Sequence, residues 1–240
     1  MTEASSEPQK VAIVTGASRG IGAGLTEAFA RAGYAVVATS RSIRASTEPE
    51  IVAVPGDIAE AETAQRVTEQ ALDRFGRIDT LINNAGLFIG KPFTDYTPDD
   101  YAAVTAVNLE GFFYVTQCAV RQMVDQGGGH IVNVTTSLVD HARSASPSAL
   151  ASLTKGGLDA VTRSLAIEYA SRGVRVNAVS LGVIKTPMHD PASYDDLAAV
   201  HPLGRAGEIS DVVDGVLYLE RATFVTGEIL HIDGGQAAGH

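Results

Sequence analysis

A chain of 240 residues, 45% of them hydrophobic, can bury one large core, and nothing in its length demands a second domain. Its 28 acidic residues outnumber 18 basic ones, and the resulting net charge of -10 would repel a phosphate backbone or an anionic membrane surface, so neither nucleic acid nor membrane is expected as a partner. A lone cysteine, Cys118, sits in an apolar stretch with no second cysteine for a disulfide or thiolate cluster; it reads as core packing, and no metal site is expected.

Residues 1–9 are polar and acidic with no basic or apolar signal region, and no apolar run approaches the roughly 20 residues of a membrane span. A flexible tail, a cytoplasmic location and one domain over residues 10–240 are the expectations. Within that domain, short β-branched runs at 11–14, 35–38, 51–54, 80–82, 130–134, 174–179 and 229–232 predict strands. Between them lie helix-like stretches such as 23–32 and 61–75, where apolar residues recur at spacings of three and four. Strands apolar on both faces, alternating with helices, predict an α/β fold of Rossmann type: a doubly wound, parallel, seven-stranded sheet in a three-layer α/β/α arrangement. Residues 186–207, rich in Pro, His and Asp, lack periodicity and read as a loop or lid shaping a small-molecule pocket.

Directly after the first strand come Gly16, Ser18, Arg19, Gly20, Ile21 and Gly22, opening a helix. Glycines there let a ligand approach the backbone, and the first-turn N–H groups favour a pyrophosphate. The spacing is Gly-x-x-x-Gly-x-Gly.

With these residues, the run Asn83-Asn84-Ala85-Gly86, Asn108, the run 175–179 and the C-terminal Thr226-Gly227 to Gly235, the chain resembles the short-chain dehydrogenase/reductase family from about Lys10 to Gly235. The resemblance implies that Asn84, Ala85 and Gly86 line the adenosine side of a nicotinamide dinucleotide, that Asp57 and Ile58 hold the adenine, and that Thr186 contacts the nicotinamide amide. It further implies a homo-oligomer, tetramer or dimer. The apolar run Phe112, Phe113 and Val115 suits such an interface and suits a core equally. The second strand ends in Thr39-Ser40-Arg41, with no carboxylate for a ribose 2′-hydroxyl. Arg41 and Arg19 instead suit a 2′-phosphate, which predicts a preference for NADP(H), with NAD(H) as the second choice.

The family's chemistry rests on Tyr-x-x-x-Lys, a spacing that puts both side chains on one helix face. Lys155 matches the lysine and would also contact the nicotinamide ribose, but Ala151 stands at the tyrosine position and has no proton to give. Leu181 likewise replaces the family's proline before the nicotinamide loop. Thr136 by register, or Ser137 by residue type, is expected to hold the substrate carbonyl, and Asn108 to serve both its helix and a water relay. For the missing proton donor the sequence offers His141, His189, Tyr194, His201, or water held by Lys155 and Asn108. The expected function is NADP(H)-dependent hydride transfer to a carbonyl/alcohol-type substrate with a non-standard proton donor. Ala151 also motivates the alternative of a non-catalytic or redox-neutral dinucleotide-binding protein.

Overall fold

The computed structural model describes residues 8–188 and 197–239. Most of the expected tail, part of the expected lid, and with it His189 and Tyr194, lie outside the described residues.

Seven parallel strands form one sheet in the order β3-β2-β1-β4-β5-β6-β7. They are β1 (Val11–Thr15), β2 (Ala35–Ser40), β3 (Ile51–Pro55), β4 (Thr80–Asn83), β5 (Gly129–Thr136), β6 (Val174–Leu181) and β7 (Ile229–Ile232). The helices are α1 (Gly20–Arg31), α2 (Ala61–Phe75), α3 (Pro98–Thr105), α4 (Gly111–Asp125), α5 (Ala149–Tyr169) and α6 (Ile209–Arg221), with a π-helical turn at Ala106–Glu110 between α3 and α4.

Alternation along each strand builds the layers. Val11 and Ile13 of β1 pack with residues of α2, α4 and α5 on one face, while Ala12 and Val14 pack with α1 and α6 on the other. The expected doubly wound, three-layer architecture is therefore present. The chain winds from β1 outward to β3, then crosses back to β4 beside β1. A crevice opens at the carboxyl ends of those two strands, where the winding changes direction.

Polar bonds fix the layers around this crevice. Asn83 of β4 donates to Thr116 Oγ1 of α4 and to Asn133 Oδ1 of β5, both at 2.9 Å; Asn133 in turn donates to Thr162 Oγ1 of α5 at 2.8 Å. At the opposite end of the sheet, Glu220 of α6 accepts from Tyr34 at 2.9 Å and pairs with buried His130 Nδ1 at 2.7 Å, while Asn177 Nδ2 reaches His130 Nε2 at 3.0 Å. Cys118 corrects one expectation. It is only partly buried, because it lies beside the α4 face that carries Val115 and Ala119 into the core. Of the apolar run on the same helix, Val115 is fully buried but Phe113 is 56% exposed.

Candidate active site

The crevice has a volume of about 840 Å³ and is lined by the ends of β2, β5 and β6 and by the loops that follow β1 to β6. The glycine loop forms its floor. Gly16 has φ +67°, and a Cβ there would fall 2.9 Å from Ala85 Cα. A Cβ on Gly22 would fall 2.3 Å from the Gly16 carbonyl oxygen, so only glycine lets α1 start this close beneath the loop. The Thr15 hydroxyl accepts from the amides of Asn84 and Ala85 at 3.1 and 3.0 Å, and Asn84 Nδ2 donates to the Thr15 carbonyl at 2.9 Å. The loops after β1 and β4 thus form one rigid floor.

No side chain caps α1, and its first turn holds no acidic residue, so its first-turn amides and positive dipole end remain available to an anion. Ser18, Arg19, Gly20, Ile21, Arg41, Asp57, Ile58 and Thr186 all line the crevice with this floor. Arg41 is largely exposed and stands 3.9 Å from Asp57 Oδ2, while Asp57 Oδ1 accepts the Ala59 amide at 3.1 Å. This half could hold a dinucleotide: a phosphate-sized approach over the glycines, and cations at the end of β2.

Lys155 enters the crevice from α5, and its Nζ donates to the Val134 carbonyl of β5 at 2.7 Å. Burial pushes its ammonium down to about 8, against an upward pull from Asp159 one turn later. Gly86 lies beside it, where a Cβ would come within 3.1 Å of Nζ, so this glycine borders the lysine as well as the floor. Ala151, one turn before Lys155 and 4% exposed, also faces the crevice.

Thr136 and Ser137 both line this half, but their hydroxyls are engaged differently. Ser137 is buried and donates to the Leu181 carbonyl at 3.2 Å. Thr136 Oγ1 accepts from the Leu138 amide at 3.4 Å, and among the described residues its hydrogen has no acceptor.

Asn108 does not line the main crevice. The π-turn buries it, where it accepts from the Leu87 amide at 2.8 Å and donates to the Leu87 carbonyl at 3.0 Å and to Thr154 Oγ1 at 3.1 Å. It braces the loop after β4 against the residue preceding Lys155. His201 does not line the crevice either. It is 3% exposed, accepts the Val183 amide on Nε2 at 3.0 Å, and burial lowers its basicity. His141 is partly buried in the β5–α5 loop and is absent from the lining.

Sequence reasoning passed over Arg143, Phe88 and Gln236, which line the crevice from two separate loops and a C-terminal 3-10 turn. No motif marks them; only the fold brings them together. Among the described residues there is no group of three or more His, Cys, Asp or Glu that could hold a metal, and no helix long and apolar enough to cross a membrane.

A family model described as enoyl-(acyl carrier protein) reductase matches residues 16–237. The chain is 35% identical over 240 residues to the 3-oxoacyl-(acyl-carrier-protein) reductase of Thermotoga maritima, covering 94% of this chain and 97% of that protein. It is 36% identical over 243 residues to the L-xylulose reductase of Bos taurus, covering 93% and 95%. A solved structure described as ElxO with NADP bound superposes with a TM-score of 0.90 at 28% identity, covering 96% of this chain and 100% of that one. The 3-ketoacyl-(acyl-carrier-protein) reductase from Brucella melitensis complexed with NADH gives 0.88 at 28% identity, covering 96% and 100%. With its seven parallel strands, its glycine floor and these relatives over nearly its whole length, the chain belongs to the short-chain dehydrogenase/reductase family of oxidoreductases.

Proposed function

We propose that this protein is an NADP(H)-dependent oxidoreductase that interconverts a carbonyl and an alcohol, with Lys155 and a water beside Ala151 moving the proton that the family's tyrosine would carry. The observation that carries the reading is the position of Lys155, its ammonium held at 2.7 Å by Val134 in the same crevice as the glycine floor. The floor fits a dinucleotide because Gly16 and Gly22, where a Cβ would collide with Ala85 and with the Gly16 carbonyl, hold the loop tight over the start of α1, and because the amides opening α1 are left uncapped for its phosphates. Arg19 and Arg41 favour the 2′-phosphate of NADP(H), since Asp57 is the one acidic residue in the lining among the described residues. Asn84, Ala85, Asp57 and Ile58 hold the adenosine side, and Thr186 the nicotinamide amide.

When bound, the dinucleotide supplies or accepts the hydride. The free hydroxyl hydrogen of Thr136 orients and polarises the carbonyl oxygen, which leaves Ser137 a structural part. The Lys155 ammonium has three donors and spends one on Val134, so the others serve the nicotinamide ribose and the water. A proton passes from the ammonium through that water to the developing alkoxide, and an ammonium titrating near 8 is matched to this transfer. Asn108 keeps Lys155 in register through Thr154. The lid expected within 186–207 belongs to the same reading, and Ile184 pairs with Gly207 at the described base of that segment. Exposed Phe113 of α4 and Leu153 and Ile167 of α5 support the homo-oligomer, and a cytoplasmic location belongs to the same reading.

The test combines fluorescence titration of NADPH and NADH with turnover on a panel of ketones and alcohols, using wild type, Lys155→Met and Ala151→Tyr. Turnover in the wild type, lost in Lys155→Met, is expected. Ala151, with its inert methyl group, favours a second reading, a redox-neutral dinucleotide-binding protein. Turnover seen only in Ala151→Tyr would establish that one instead.

A further inference from the structure

The charged residues lining the crevice divide by location. Arg19, Arg41 and Asp57 stand on the loops after β1, β2 and β3, and Lys155 on α5. Arg143 belongs to none of these. It comes from the β5–α5 loop, and its Nη1 reaches across to the Val200 carbonyl at 3.4 Å, so the two segments close one wall. That wall is otherwise apolar or small: Leu138, Ala145, Leu197 and Val200 accompany it.

A guanidinium carries five N–H donors in a planar fork. Arg143 spends one of them, on a long bond to a neutral carbonyl, and among the described residues no carboxylate stands within ion-pair distance. A half-buried cation facing an apolar pocket without a counter-charge is costly unless a ligand pairs with it. The same fork matches a carboxylate through two parallel bonds.

We infer that Arg143 anchors an anionic group of the substrate, so that the molecule taken into this crevice is an oxo-acid whose carboxylate lies against the guanidinium while its carbonyl reaches Thr136 and Lys155. The carbonyl end of this inference rests on the proposed oxidoreductase function. The anion site is read separately, from the charge and surroundings of Arg143. A phosphate ester shares the anionic chemistry, but the planar two-bond match and the apolar wall favour the smaller, flat carboxylate.

The experiment titrates straight-chain oxo-carboxylates and their methyl esters into the protein saturated with NADPH, followed by calorimetry and nucleotide fluorescence. The acids are expected to bind about 10–100-fold more tightly than their esters, the size of effect a charge-assisted, two-bond contact gives. Arg143→Gln should remove that difference by weakening the acids alone, and Arg143→Lys should retain part of it. NADPH affinity should stay unchanged in both variants. Acids and esters binding alike, Arg143→Gln weakening both equally, or phosphorylated ketones binding where carboxylates do not would each overturn the assignment. Should NADPH itself fail to saturate, the oxidoreductase reading falls. The same acid and ester comparison on the free protein then decides the role of Arg143.

Discussion

The Nζ of Lys155 donates to the backbone carbonyl of Val134 at 2.7 Å, tying the second turn of α5 to the carboxyl end of β5. The bond aims the ammonium into the crevice, and burial there lowers its proton affinity to about 8. Carbonyl reduction consumes a proton and so needs the ammonium form. Reductive turnover should therefore fall as pH rises through about 8, while alcohol oxidation should rise over the same range. Lys155→Met should cost about 10²–10⁴-fold in kcat, and Ala151→Tyr, which restores a phenol to the same helix face, should move the pH profile. Steady-state rates in both directions across pH check this; a profile flat through that range removes the lysine from proton transfer.

Arg41 stands at the end of β2 with its side chain 77% exposed. Because among the described residues it makes only a long contact to Asp57, replacing it should leave folding intact. Arg41→Ala should weaken NADPH about 10–100-fold, the loss of one charge-assisted contact to phosphate, and leave NADH nearly unaffected. Paired fluorescence titrations give the ratio, and equal weakening of both nucleotides would remove the 2′-phosphate role.

Gly22 leaves no room for a methyl group, since the Cβ would sit 2.3 Å from the Gly16 carbonyl oxygen. In Gly22→Ala the loop after β1 must move away from α1, at a cost of about 1–3 kcal/mol in stability. Nucleotide binding should fall more steeply than stability, because the floor is displaced from Asn84 and Ala85. Thermal melts beside NADPH titrations separate the two effects.

Far from the crevice, the His130–Glu220 pair makes stability depend on pH. Burial holds the His130 imidazole below its ordinary basicity, so it is neutral when folded, whereas the unfolded chain protonates it near 6.5. The unfolded state then binds the extra proton, and stability falls as pH drops below that value. Burial alone would raise Glu220, but its bonds from His130 and Tyr34 prevail and lower it, so its contribution is lost at still lower pH. The melting temperature should therefore decline from pH 7 toward pH 5. Glu220→Ala, which strips an acceptor from both Tyr34 and His130, should cost about 2–4 kcal/mol at pH 7. Denaturant melts across this pH range test both statements.

The sheet was legible because its strands are short β-branched runs, the inner ones buried on both faces and the edge strands β3 and β7 only in part, and α2 because its apolar spacing runs unbroken to Gly76, which closes it at φ 76°. By contrast, α1 begins at Gly20 rather than residue 23, since glycines with poor helical propensity form its first turn under the pull of the floor contacts. Lys155 and the absence of tyrosine at Ala151 came from the resemblance to the family, whereas the glycine loop could be read from local spacing. Which hydroxyl is free could not, because Ser137 is satisfied by Leu181, a residue 44 positions away.

Local pattern alone determined the alternation of strands and helices and the glycine loop after the first strand, because each depends on neighbours within a few residues, while the family resemblance singled out Lys155. Tertiary structure decided the rest: Ser137 bonded to Leu181 while the Thr136 hydrogen stays free among the described residues, His201 held off the pocket lining, Asn108 as a brace, and Arg143 at the crevice from the loop before α5. Those outcomes depend on which distant backbone groups meet each side chain once the sheet has wound, and that meeting is a property of the packed molecule.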